Sequence, residues 1–297
     1  PLPMPPSQYP VAIEAVDRKA EDKLGTFLAR AAEADPTIIV RRDEETHQTV
    51  VNTLGHGAVD TLLQRLKAQI GIDVKLVPLR IPYRETIRKT AQAQGRHKKQ
   101  TGGSGQFGDC WLRLEPNPFG GYEFIDEIVG GKIPRNYIPA VDKGVQAAMK
   151  EGFLAGYPMD DLKVAVYDGS YHSVDSNDMA FQTAARIGFR AACAQAGAVL
   201  LEPMADMAIS VPEEYAGAVM SDIATRRGRI VGTDSDDAGN TVILVRAPYA
   251  EVATYTKDLR SISRGSGTYS YSLDGYEEVP ANVAQKIIAA YQAEKEA

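Results

Sequence analysis

Cysteine is nearly absent: the 297 residues contain two, Cys110 and Cys193. Two thiols in a chain of this size do not make a disulfide framework, so each is expected as a small buried apolar side chain. Long apolar runs are missing as well. Nothing approaches the roughly 18 residues that a membrane span requires, and residues 1–6 have neither the basic end nor the apolar core of a signal peptide. A soluble, cytoplasmic protein with no membrane partner is therefore expected. Histidine is scarce, and His47, His56, His97 and His172 stand at no zinc-like spacing from a cysteine, so no metal is expected. The sequence contains no G-x-x-x-x-G-K-[ST] loop, and the chain is not expected to bind GTP itself. Positive charge is not in excess: the formal net charge is −6, which excludes a protein that coats nucleic acid through global charge and makes any such contact local. An initiator methionine is missing too. A chain opening on Pro1 is expected to be a piece of a longer protein.

What is present is ordinary globular material, 44% hydrophobic and 24% charged, able to bury real cores. The length predicts about two domains and permits three. Residues 11–16, 37–40, 49–51 and 74–82 read as strands, and 19–32 and the stretch carrying Leu62, Leu63, Leu66 and Ile70 as helices. The order strand, helix, strand, strand, helix, strand is a split βαβ sandwich. From Leu200 that order returns. A strand over 205–211 precedes Pro212-Glu213-Glu214, which suits the first turn of a helix. Arg226-Arg227-Gly228 closes that helix with cations and a left-handed cap, and a hairpin, a helix over 250–261 and a strand over 268–273 come next. The middle, about 84–199, is different, with strands at 110–115, 122–128 and 163–167 and helices at 141–153 and 179–195. The last helix is so rich in alanine and glycine that close packing is expected.

Two polar loops in this middle carry the candidate chemistry. Gly103-Ser104-Gly105-Gln106-Phe107-Gly108 has the G-x-G-x-x-G spacing, but it comes after the polar Arg96-His97-Lys98-Lys99-Gln100 and enters the strand-like Cys110-Trp111-Leu112-Arg113-Leu114. A dinucleotide fingerprint needs a strand before it and a helix after it. The segment suits a hairpin tip where cations meet phosphates, glycines let backbone amides approach RNA, and Gln100, Gln106 and Phe107 add hydrogen bonds and stacking. The residues alone leave a solvated basic loop equally open. The second loop is Tyr167-Asp168-Gly169-Ser170-Tyr171-His172-Ser173-Val174-Asp175-Ser176. Ser, His and Asp crowd together there, whereas triad members usually come from separated elements. Asp175 or Ser176 is expected to cap the next helix, and His172 to donate to a phosphate or base edge. Tyr269, Tyr271 and Tyr276, at strand spacing, are expected to pack within or on a sheet.

Together these segments resemble elongation factor G. The resemblance is carried by Tyr83-Arg84-Glu85-Thr86-Ile87, by His97-Lys98-Lys99-Gln100-Thr101-Gly102-Gly103 with Gly105-Gln106-Phe107, and by Asp168 through Ser176. Leu201-Glu202-Pro203-Met204, Pro212-Glu213-Glu214-Tyr215, Arg226-Arg227-Gly228, Asp258-Leu259-Arg260-Ser261 and Tyr276-Glu277-Glu278-Val279-Pro280 continue it in the family's order. It implies an α+β chain holding a ferredoxin-like third domain (1–82), a fourth domain like domain 2 of ribosomal protein S5 (83–200) and a ferredoxin-like fifth domain (201–297). It also implies that this piece is not itself an enzyme and holds no cofactor. GTP and magnesium would belong to the parent's GTPase domain, and the parent would move transfer and messenger RNA on the ribosome. The implied partners are the ribosome, ribosomal RNA, and tRNA and mRNA in the decoding region, met by a monomer. The contact residues implied are Arg96, His97, Lys98, Lys99, Gln100, Ser104, Gln106 and Phe107 on one tip loop and Ser170, Tyr171, His172 and Asp175 on the other.

Two departures stand out. Where the family has Gly-Met-Gly-Glu-Leu-His, this chain has Thr53-Leu54-Gly55-His56-Gly57-Ala58, and Ser104 stands where arginine is common, removing a charge-assisted contact. They point toward a divergent paralogue acting in ribosome recycling or protection as the alternative, with a stand-alone hydrolase built on His172 and Asp175 as a third reading.

Overall fold

The computed structural model describes residues 9–100 and 105–296. The chain divides into two compact units, one formed by Pro1–Pro82 with Glu202–Glu277 and the other by Tyr83–Leu201 with Glu278–Ala297.

The first unit contains both split βαβ motifs. In the first motif the elements are β1 (Tyr9–Ala15), α1 (Arg18–Ala34), β2 (Ile39–Arg42), β3 (Thr49–Thr53), α2 (His56–Ile70) and β4 (Val74–Val77), with sheet order β2-β3-β1-β4. Leu24, Phe27 and Leu28 of α1 and Leu62 and Leu66 of α2 recur at helical spacing, and they bury against Ile13 and Val51 of the sheet. The strand expected over 74–82 stops at Val77 because Pro78 has no N–H for the ladder. Instead the buried Gln48 side chain bonds the chain there: its Nε2 donates to Pro78 O at 2.9 Å and its Oε1 accepts from Arg80 N–H at 2.8 Å.

The second motif begins in a strand longer than expected. Ala198–Val211 is one strand, β10, with five strands of the other unit before it in the chain. Beyond it lie α5 (Glu213–Thr225), β11 (Arg229–Ser235), β12 (Thr241–Pro248), α6 (Tyr249–Val252), α7 (Tyr255–Ile262) and β13 (Thr268–Glu278), with sheet order β11-β12-β10-β13. The helix expected over 250–261 is thus two, separated at Ala253 and Thr254. The left-handed residue after α5 is Arg227, with φ of 59°. Its guanidinium donates to Glu202 at 2.6 and 2.9 Å and to Glu251 at 3.1 Å, bonds that offset an unfavourable backbone conformation for a non-glycine residue. Tyr269 is buried and packs edge-on to Tyr255 at 5.8 Å, as a core role requires.

The second unit consists of β5 (Arg84–Ile87), β6 (Ala91–Lys99), β7 (Gln106–Pro116), β8 (Tyr122–Asp126), α3 (Ile138–Glu151), β9 (Leu162–Ser170), α4 (Asp178–Cys193) and α8 (Ala281–Glu296). Its sheet has order β6-β7-β9-β8, antiparallel except between β8 and β9. Helix α4 lies on β6 and β7 and packs beside α3. The expected closeness is real. A Cβ on Gly95 would sit 1.8 Å from Ala184 O and one on Gly108 2.5 Å from Ala180 O. Both cysteines are buried and unpaired, and burial pushes each thiol up to about 12.

Helix α8 packs in this unit, although it comes after the last split βαβ motif in sequence. Val283, Ala284, Ile287, Ile288 and Tyr291 lie on a small core of Ala155, Leu200 and Val279.

Gly108→Ala is expected to destabilise the second unit by about 2 kcal/mol through overpacking. Gly25→Ala, on α1 where an added Cβ meets nothing within 4 Å, is expected to stabilise the first by roughly 0.5–1 kcal/mol. Amide hydrogen exchange, read separately in each unit, checks both.

Candidate nucleic-acid interface

The basic segment is the end of a hairpin. Strands β6 and β7 pair from Ala91↔Leu114 to Lys99↔Gln106. Gly105 leads directly into β7, a strand where the dinucleotide geometry needs a helix, so that geometry is not built. Alternation along β6 turns Ala91, Ala93 and Gly95 toward α4 and leaves Arg96, Lys98 and Lys99 exposed. Arg96 lies over the Phe107 ring at 5.7 Å, a cation–π arrangement that holds the guanidinium above the sheet. His97 Nε2 and Gln106 Oε1 are 2.9 Å apart. Among the described residues none of Arg96, Lys98 and Lys99 meets a carboxylate, whereas Arg113, Lys132, Lys163 and Arg190 of the same unit do. Gln100 is exposed beyond β6, and Ser104 lies outside the described residues.

The second loop joins β9 to α4 and is bonded to the hairpin. Phe107 N–H donates to Asp175 O at 2.8 Å, and Phe107 O accepts from Ser176 Oγ at 2.9 Å. Ser176 Oγ also accepts the His172 N–H at 2.8 Å. Tyr137 braces the loop from below, its hydroxyl donating to Ser176 O at 3.0 Å while its ring stacks on Phe181 at 4.9 Å. The His172 and Phe107 rings come within 6.4 Å. The helix cap differs from expectation: neither Asp175 nor Ser176 caps α4. Asn177 does, its side chain accepting from Ala180 N–H at 2.8 Å, since α4 begins at Asp178; the Ser176 hydroxyl is bonded to Phe107 O and the Asp175 carboxylate lies beside the His172 ring. Tyr171 and His172 remain exposed, while Ser170 and Asp175 are half-buried.

No hydrolytic triad is assembled among the described residues. Ser170 Oγ donates to Asp109 Oδ2 at 2.7 Å and Ser176 Oγ to Phe107 O. Among the described residues no serine hydroxyl bonds the His172 ring, and a triad needs that bond. No three His, Cys, Asp or Glu side chains converge as metal ligands among the described residues, and no described helix is long and apolar enough to cross a membrane.

Three family models tile the sequence: Elongation Factor G, domain III over residues 4–78, Elongation factor G, domain IV over 79–197, and Elongation factor G C-terminus over 199–287. The chain belongs to the elongation factor G family. Among solved structures, a protein from Thermus thermophilus is 41% identical with a TM-score of 0.83, over 98% of this chain. This chain spans 44% of the length of that protein.

Within this elongation factor G domain IV, sequence patterning missed the groups that support the two loops. Asp109, 8% exposed, accepts from Gln94 Nε2 at 2.8 Å and from Ser170 Oγ at 2.7 Å, linking β6, β7 and β9 just beneath the tip. The sequence carries no signal of this role, because alternation along β7 puts Asp109 on the face of Trp111 and Arg113, opposite Cys110 and Leu112, where a polar side chain is ordinary. Lys132 Nζ meets Asp168 Oδ1 at 2.9 Å, and nothing local links residues so far apart.

That ion pair predicts a pH response. The Lys132 ammonium, and then the Gly169 N–H, hold the Asp168 carboxyl below its ordinary 3.8. A depressed carboxylate contributes stability above its unfolded value and loses it as pH falls through the folded one. Carboxyl NMR is expected to show Asp168 titrating below 3.8 and Lys132→Met moving it upward.

Proposed function

We propose that this chain is the ribosome-engaging C-terminal part of an elongation factor G-like translational GTPase. Its joined tip loops contact RNA in the decoding region while the parent uses GTP to drive tRNA and mRNA translocation. The observation that carries this reading is the tip itself: exposed Arg96, Lys98 and Lys99, without carboxylate partners among the described residues, stand beside His172 and Tyr171 on one rigid end of a sheet. Cations free of carboxylate partners are available to phosphates, and the rings beside them suit unpaired bases. The contribution is mechanical and electrostatic, with GTP and magnesium held elsewhere in the parent. The alternative of a paralogue acting in recycling or ribosome protection draws on the two departures from the family pattern, the loss of its acidic residue in Thr53-Leu54-Gly55-His56-Gly57-Ala58 and Ser104 in place of arginine.

Cosedimentation of the chain with purified ribosomes across a salt series tests the contact. Replacing Arg96, Lys98 and Lys99 by glutamine is expected to lower affinity and to flatten the log–log salt slope by roughly two units, since each lost phosphate contact removes about 0.7–0.9. Unchanged affinity and slope would remove the tip from the interface. For translocation, the complete parent should rescue cells depleted of their own factor. Ribosome binding without rescue would favour the paralogue reading.

A further inference from the structure

The His172 ring is held in a way that decides what it can recognise. Its Nδ1 lies 3.3 Å from Val174 N and 3.1 Å from Asp175 N, accepting both backbone N–H groups. Asp175 Oδ2, 3.4 Å from the same nitrogen, is the carboxylate that would favour a proton there, and it stands farther off than either N–H donor. The backbone of His172 is equally committed. Its N–H donates to Ser176 Oγ at 2.8 Å and its C=O accepts from Ser176 N–H at 3.1 Å. Among the described residues Nε2 alone has no partner, and the side chain is 53% exposed.

A nitrogen that accepts two N–H bonds carries no proton, and a neutral imidazole with Nδ1 bare carries its proton on Nε2. We infer that the turn over residues 172–176 locks His172 in the Nε2–H tautomer, so that the tip presents a hydrogen-bond donor and selects an acceptor on its RNA ligand: a phosphate oxygen, a ribose hydroxyl oxygen or a base acceptor. The inference rests on the RNA-contact reading above for its ligand, but not for the tautomer. The loop is itself the selector. The two N–H bonds to Nδ1 hold the ring against turning to offer its other nitrogen, and Phe107, bonded to Asp175 and Ser176, stands 6.4 Å from the imidazole.

The free protein tests the first half. With four histidines in the chain, selective ¹⁵N-histidine labelling gives few resonances, and His172→Gln identifies the one that matters. At neutral pH Nδ1 of His172 should appear unprotonated and Nε2 protonated; a protonated Nδ1, or averaged tautomers, overturns the lock.

Two substitutions test the second half. Glutamine places an amide near the Nε2 position and asparagine near Nδ1. His172→Gln should keep an outward donor and bind ribosomes more tightly than His172→Asn, while speeding amide exchange at Val174 and Asp175. His172→Asn should preserve those two amides and weaken binding about tenfold, the worth of one hydrogen bond to a polar or charged acceptor. Equal affinities, or the reverse order, overturn donor selection. If instead the triple glutamine variant of Arg96, Lys98 and Lys99 binds as before, the RNA-contact reading fails while the tautomer is still judged by the spectrum.

Discussion

A Cβ has no room at Gly95 or at Gly108, and the geometry of the second unit stems from that shortage of space. At these points the backbone of α4 touches the backbone of β6 and β7, with Ala184 O and Ala180 O where side chains would otherwise stand. A helix at ordinary distance could slide or rotate against a sheet by repacking flexible side chains. One in backbone contact cannot, because its position is set by hard atoms that no rotamer change relieves. Gly108 and Ala180 are also the last such contact before the tip. They fix where α4 begins, and so where Asn177, Ser176 and Asp175 stand relative to Phe107. The bonds from Phe107 to Asp175 and Ser176 can then form with both partners already in place.

A second anchor lies toward the other end of the unit. The Glu85 side chain is fully buried on β5, and its carboxylate accepts four backbone N–H groups, from Phe153, Leu154, Ala155 and Tyr157, at 2.7–3.2 Å. A buried carboxylate is tolerable only with this density of donors. The nest they form holds the chain leaving α3, and Gly156 within it comes so near the Tyr291 ring of α8 that an added Cβ would sit 2.6 Å from it. This is why α8, though last in sequence, belongs to the second unit. Its apolar face has a built surface to cover there, around Ala155, Leu200 and Val279.

Electrostatics separates the tip from the rest of the unit. Arg84, Arg113, Lys132, Lys163 and Arg190 each meet a carboxylate within 3.3 Å. Surface pairs of this kind contribute little stability, but they neutralise the local field. What sets the tip apart is clustering: in a chain of net charge −6, Arg96, Lys98 and Lys99 stand together on one strand end, exposed and without carboxylate partners among the described residues. The adjoining aromatic and imidazole groups turn that patch from a general attraction into a surface with directional contacts.

Much of this was legible in the residues. Helical and strand periodicity located both split βαβ motifs, since burial on one face imposes the period directly. The alanine and glycine content of α4 announced its close packing, and the basic run leading into glycines announced a hairpin tip. What periodicity cannot carry is the partner of a polar group. Asn177 caps α4, while the backbone of Asp175 and the hydroxyl of Ser176 bond Phe107, a residue far away in sequence. Asp109 and Lys132 read as ordinary polar positions until β9 is laid beside β7. The His172 tautomer depends on N–H vectors that exist only once the turn has formed. Residue pattern was enough for both split βαβ motifs, the two middle helices and the family, because hydrophobic burial and backbone sterics act locally along the chain, whereas β5, β6 and α8 went unread. Which loops meet, and which nitrogen faces outward, was left to the folded arrangement, because hydrogen bonds are directional and are satisfied by whatever the fold brings within reach.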